Sequence, residues 1–284
     1  MKRSFLGELY FKAFQSGNKL NFFIAINTII FLLLGILALI DFFANTTIGI
    51  TTLTQLALPA SLEKLIYRPW TILTYMFTQN GFFHFLFNML WLYWLGIIFL
   101  SFLNNRQLVF VYLAGGFVGG LIFLILYNVV PAFYSSSALL VGSSGSVYAV
   151  VIATATLVPD YTIRMLFFGN VRLKYLAIAF IVLNFLGLGG SNIGGSLAHL
   201  GGALLGFLYI NQLRKGTDWS RLFKNQKKRL RVVKNEHPPR KSKTSFTNQE
   251  YIDSILDKIS KSGYNSLSKD EKEALFNAGK QDQD

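Results

Sequence analysis

The chain contains no cysteine in 284 residues. Disulfides, thiol catalysis and cysteine-bound metal are therefore excluded. Charge is also scarce, at 14% of residues, where a soluble domain carries roughly 25%. Between Leu20 and Ile210 charges are few, whereas the tail beyond is dense with them. Asp41 and Asp160 fall at the ends of apolar runs, and from Phe83 to Val158 no carboxylate occurs at all. A protease built on two membrane-embedded aspartates has no pair to use. His-Glu-x-x-His is absent as well, so a zinc peptidase of that type is excluded. Histidine is limited to His84, His199 and His237.

What is abundant is apolar sequence, 52% of the chain. A spanning helix needs about 20 apolar residues. Six candidates appear, roughly 20–43, 83–103, 107–128, 144–158, 171–190 and 196–213. They predict an all-α membrane protein, a six-helix bundle with a small helical tail. No small-residue cleavage site follows the first run, which is read as a retained helix. Residues 1–19 form an N-terminal segment, 20–213 the membrane domain, 214–246 a basic linker and 247–284 a helical extension. Segment 44–82 holds Leu58-Pro59 and Arg68-Pro69-Trp70 and is too mixed to span. It is expected to be a structured interfacial loop, with Trp70 and Tyr75 at headgroup depth.

Six spans place Lys2, Arg3, Lys12, Lys19, Arg106, Arg164, Arg172, Lys174 and the basic tail on one side. The other side has only Lys64 and Arg68. Both termini are therefore expected in the cytoplasm. The second, fourth and sixth spans then run inward from the outer face. His84 and Asn88, Ser144 and His199 all fall in the outer layer of their spans. Polar groups at that depth are costly and point to function. The fourth span is short: 16 residues from Ser143 to Val158 cover about 24 Å, against a hydrocarbon core of about 30 Å. Ser144 is expected in a recess open to outside water, beneath the loop 129–141.

A serine becomes a useful nucleophile when a base takes its proton. Near Ser144 that base is His199, apart from His84. No carboxylate is available to orient the imidazole, so the expectation is a dyad without the usual acid. Tyr148, one turn after Ser144, is expected to stack on His199. His84 and Asn88 are i and i+4 on one helix face and can donate to an oxyanion, as can the Ser144 backbone N–H at a helix start. Gly142 allows a tight turn into the helix and Gly145 a close approach. Gly202 and Gly206 form a small-residue stripe that would bring the sixth span against the fourth, and His199 with it.

These pieces together resemble the rhomboid family of intramembrane serine proteases. Gly142-Ser143-Ser144-Gly145 is similar to its GxSG, and Ala198-His199 with Gly202 and Gly206 to its AHxxGxxxG. His84-Phe85-Leu86-Phe87-Asn88 resembles its HxxxN, and Tyr148 stands in the family's place. Residues 68–77 are similar to the lead-in to the second helix of bacterial members, and the resemblance covers about 45–212. It implies a six-helix bundle in a bacterial cytoplasmic membrane, a Ser144–His199 dyad and an oxyanion site from His84, Asn88 and the Ser144 backbone. It also implies cleavage of transmembrane substrates near their outer ends, with no cofactor or metal. The charged elaboration of the first loop found in some members is not evident here, so gating by that loop is not carried over.

Ser143 and Ser146 compete with Ser144, which the glycine spacing favours. Gly115-Gly116 and Gly119-Gly120 are read as helix packing, Asn184 as a packing or cavity residue without a role, and His237 as a solvated tail residue. A catalytically inactive rhomboid-like protein that binds membrane helices is the alternative; such relatives lose the serine or the histidine, and both are present. A transporter is disfavoured, since paired midplane charges are lacking.

Twelve lysines and arginines over 214–243, against Asp218 and Glu236, should meet anionic lipid headgroups, and no nucleic acid is expected. Beyond them Thr247 with Glu250, and Ser268 with Glu271, have capping-box spacing. Ile252, Ile255, Leu256 and Ile259 make an apolar stripe that Gly263 can end, which predicts a helical hairpin.

Overall fold

In the computed structural model, which describes residues 4–133, 137–165, 169–188, 190, 192–223 and 246–281, each of the six apolar runs is a helix. A short α1 (Phe5–Tyr10) precedes α2 (Lys19–Ala44), the first run. The interfacial segment folds as α3 (Ile48–Leu56), strand β1 (Leu58–Pro59), α4 (Leu62–Tyr67) and α5 (Thr71–Thr74). The next two runs are α6 (Phe82–Phe102) and α7 (Asn105–Val129). Strand β2 (Leu139–Leu140) leads into α8 (Ser144–Leu157), and the hairpin β3 (Thr162–Met165) and β4 (Gly169–Arg172) into α9 (Leu173–Gly187). The last run is α10 (Ile193–Arg214). Of these, α2, α6, α7 and α10 are long and apolar enough to cross a membrane, while α8 and α9 are shorter apolar helices.

The helix starts follow from local chemistry. Asn18 accepts from the N–H groups of Leu20 and Asn21, and Asn104 forms a capping box with Gln107. Asp41 accepts from Thr46 Oγ1 at 2.7 Å and from the Ile50 N–H at 3.0 Å, closing the first turn of α3. Segment 44–82 is folded, as expected. Trp70 Nε1 donates to the Gln55 carbonyl at 2.8 Å and Thr74 Oγ1 to Leu56 at 2.8 Å, tying α5 to the end of α3. Tyr75 is buried in the protein core, with its hydroxyl donating to the Gly116 carbonyl. The β3–β4 hairpin was also not legible in the loop between the fourth and fifth runs.

At the centre lies α8, buried along nearly its whole length between α6, α7 and α10. Small residues make this possible. A Cβ at Gly202 or Gly206 of α10 would collide with the carbonyl oxygens of Gly145 and Ala149 on α8. The paired glycines of α7 do pack helices: a Cβ at Gly115 would strike Ala149, and one at Gly119 would lie 2.6 Å from the Ala198 carbonyl oxygen. By contrast α2 buries only Leu20, Phe23, Asn27 and Leu34 and leaves Leu32, Leu33, Ile36 and Leu39 exposed, a surface suited to lipid.

One end of the bundle carries the charge. Arg106 pairs with Asp218 at 2.8 Å, Tyr209 donates to the same carboxylate at 3.0 Å, and Arg214 donates to the last carbonyls of α8. Lys174 reaches Asp160 at 2.7 Å, and the Lys19 N–H meets Asn105. The starts of α2, α7 and α9 and the ends of α8 and α10 thus share this end, the grouping expected of alternating spans.

Residues Met1–Asn225 form one unit and Gln226–Asp284 a second. In the second, α11 (Phe246–Ser262) ends at Gly263, φ +75°, and α12 (Lys269–Gln281) starts at a capping box between Ser268 and Glu271. Ile255 and Leu267 are buried there, but Leu256, assigned to the apolar stripe, is exposed. The basic run 224–245 and the Thr247 side chain lie outside the described residues.

Candidate active site

The start of α8 is set from outside the helix. Leu58 and Pro59 pair with Leu140 and Leu139, and the Gly142 N–H donates to the Tyr75 carbonyl at 3.0 Å. Gly142 has φ +129°, a backbone that side chains rarely adopt. A Cβ there would also lie 2.7 Å from His84 Cε1 and 3.4 Å from Ser144 Oγ. The His84 ring and the Ser144 hydroxyl therefore flank this glycine.

Three serines compete, and the fold separates them. Ser143 and Ser146 are 0% exposed, and Ser144 is 8%. Ser143 Oγ accepts from Gln79 Nε2 at 2.7 Å, and Ser146 Oγ faces Met76 Sδ at 3.9 Å. Ser144 begins α8, where the backbone N–H has no partner four residues back within the helix.

His199 comes from α10. Its ring stacks on Tyr148 with centroids 4.1 Å apart and planes 5° off parallel, the contact expected from the sequence. Phe180 of α9 backs Tyr148 at 5.2 Å. Nδ1 of His199 lies 2.8 Å from Asn184 Oδ1, and Asn184 Nδ2 donates to the Ser196 carbonyl at 3.0 Å. Nε2 is buried and has no hydrogen-bond partner among the described residues. A buried polar atom left free is rare and needs a reason. An acceptor poised for a proton is one, since catalytic hydrogen bonds are often long before substrate binds.

Asn184 is thus corrected: it is a direct partner of the histidine. The signal was present in the sequence. In the arrangement expected from the basic residues the fifth span runs outward, which would set Asn184 in the same layer as the other polar residues, and a polar group there needs a partner. Gln79 was also missed. It accepts from Asn88 Nδ2 at 3.1 Å and donates to Asn27 Oδ1 at 2.9 Å and to Ser143. This network fixes the Asn88 amide and leaves its second N–H for another acceptor. Gln79 lies outside every spanning run, so no periodicity marked it. Among the described residues no group of three or more His, Cys, Asp or Glu could hold a metal ion.

A helical membrane protein that buries a helix-start serine, a stacked histidine and an amide network together belongs to a recognisable class. A Rhomboid domain model matches residues 67–215, just over half of the chain, and a family of unknown function (DUF6576) matches 242–280. The chain belongs to the rhomboid family, integral membrane proteins that are generally intramembrane serine proteases acting on transmembrane substrates. No match was found among curated proteins.

Proposed function

We propose that this chain is an active intramembrane serine endopeptidase working through a Ser144–His199 dyad. The observation that carries the proposal is the state of His199: stacked on Tyr148, held at Nδ1, and free at a buried Nε2, on the helix packed against Ser144's own. Ser144 Oγ bonds to the scissile carbonyl carbon as its proton passes to Nε2. His84, Asn88 and the Ser144 N–H donate to the oxyanion. Nε2 then returns the proton to the departing amine as the C–N bond breaks, and water releases the acyl group by the same route.

Gly142, Gly145, Gly202 and Gly206 act as the steric conditions of this geometry, and Tyr148 as the platform. In this reading six spans cross a bacterial cytoplasmic membrane with both termini in the cytoplasm, and the site lies near the outer face. α8 has 14 residues, about 21 Å, which recesses Ser144 from that face. The basic linker meets anionic lipid.

The test is labelling of the detergent-purified protein by a fluorophosphonate, together with cleavage of a model transmembrane substrate in liposomes. Wild type and Ser143→Ala are expected to react, and Ser144→Ala and His199→Ala to be silent. A folded wild type that neither labels nor cleaves overturns the proposal and favours the helix-binding, inactive alternative.

A further inference from the structure

We infer that Asn184 is a positioning residue that selects the tautomer of His199, keeping the proton on Nδ1 and the lone pair on Nε2. The inference rests on the dyad reading for its catalytic meaning, but its structural content stands apart from it.

The argument begins at the Ser196 carbonyl. A carbonyl oxygen only accepts, so the Asn184 group facing it at 3.0 Å is the amide Nδ2. Oδ1 must then face the imidazole, where it stands 2.8 Å from Nδ1. An amide oxygen also only accepts, so Nδ1 carries the hydrogen. In a neutral imidazole the other nitrogen is then the acceptor. That nitrogen is Nε2, the one left buried and free.

Tyr148 cannot make this choice. Its contact with His199 is face to face, and such stacking survives either tautomer and a half-turn of the ring about Cβ–Cγ. Stacking fixes the plane; the hydrogen bond fixes which edge does what. Nor is Asn184 explained as packing. It is 4% exposed, and the other buried residues of α9 are Leu173 and Leu176, at the opposite end of the helix. A leucine would fill such a site without a buried amide to satisfy. With no carboxylate hydrogen-bonded to His199 among the described residues, the neutral amide takes over the orienting task.

The chain has three histidines, so histidine-selective 15N labelling gives a spectrum simple enough to read, with His199 assigned by comparison with His199→Gln. Wild type is expected to show the Nδ1–H form above the titration range. Asn184→Leu is expected to lose it, giving the Nε2–H form or an average, and to label with fluorophosphonate at least about tenfold more slowly, a part of the 10²–10⁴ that positioned acid–base catalysis supplies in full. Asn184→Asp, which keeps an oxygen towards Nδ1 but loses the donor to the Ser196 carbonyl, is expected to keep the Nδ1–H form and to label faster than Asn184→Leu. If Asn184→Leu fails to fold, wild type and Asn184→Asp still decide. A wild-type His199 in the Nε2–H form, or an unchanged tautomer in folded Asn184→Leu, overturns the inference whether or not the protein labels. Loss of the tautomer in Asn184→Leu alongside an unreactive wild type would uphold it while sinking the dyad reading.

Discussion

Replacing Gly202 with alanine separates stability from chemistry in this protein. A Cβ at Gly202 would sit inside the contact distance of the Gly145 carbonyl oxygen, carbon and Cα, all backbone atoms of α8. No side chain can rotate away to make room. Restoring ordinary contact at about 3.5 Å requires α10 to part from α8 by more than about 1 Å. Overpacking of this kind costs about 1–3 kcal/mol, against roughly 1 kcal/mol gained because alanine favours a helix over glycine. The net loss of stability is therefore about 0–2 kcal/mol. The rate suffers more, since His199 travels with α10 and Ser144 stays with α8. A misplacement of about 1 Å in a catalytic pair costs roughly 100-fold. Fluorophosphonate labelling rates should thus fall about 100-fold while the unfolding midpoint in detergent moves by a few degrees. Gly35→Ala on α2 is the control, since a Cβ there meets nothing within 4 Å. Wild-type labelling by folded Gly202→Ala would refute the claim that this helix contact sets the dyad geometry.

Gln79→Leu frees the Asn88 amide and leaves Asn27 and Ser143 without their donor. It is expected to lower the rate of substrate cleavage by up to about 100-fold, short of the 10²–10³ for losing an oxyanion donor outright; an unchanged rate would remove Gln79 from the site. Tyr148→Phe should cleave nearly as wild type because the stack survives, while Tyr148→Ala should lose about tenfold, in line with about 0.5–1.5 kcal/mol for a ring pair; equal rates for the two would rule out stacking as the role. Burial pushes the Asp218 carboxyl up, but hydrogen bonds from Ser220 and Tyr209 and the Arg106 charge outweigh it and hold it below its usual value. Its stabilising share is therefore present above about pH 4 and lost as pH falls through the depressed folded value. Asp218→Asn should lower the unfolding midpoint at neutral pH, with the deficit shrinking on acidification; a deficit that persists unchanged at low pH would contradict this.

The sequence by itself determined the membrane class and the six helical runs, and it singled out the serine and the histidine, far apart in the chain, that the proposed dyad pairs. The reason is physical: about 20 apolar residues have one stable form in lipid, and a polar side chain within them is too costly to be casual. Ser144, His84, Asn88, Tyr148 and His199 stood out on that ground, and so did the glycines that let α8 and α10 touch. The same ground held for Asn184, but one amide among aliphatic neighbours offers no motif, and its importance rests on which ring nitrogen it faces. Tertiary structure alone decided that, because α9 and α10 had to be docked before Oδ1 could meet Nδ1. It alone also separated the surroundings of three neighbouring serines, since Gln79 and Met76 reach Ser143 and Ser146 only across the fold. Tyr75 and Gln79 were hidden for the same reason. They belong to a segment without periodicity, whose course is fixed by hydrogen bonds to α3 and α7 and to the turn before α8.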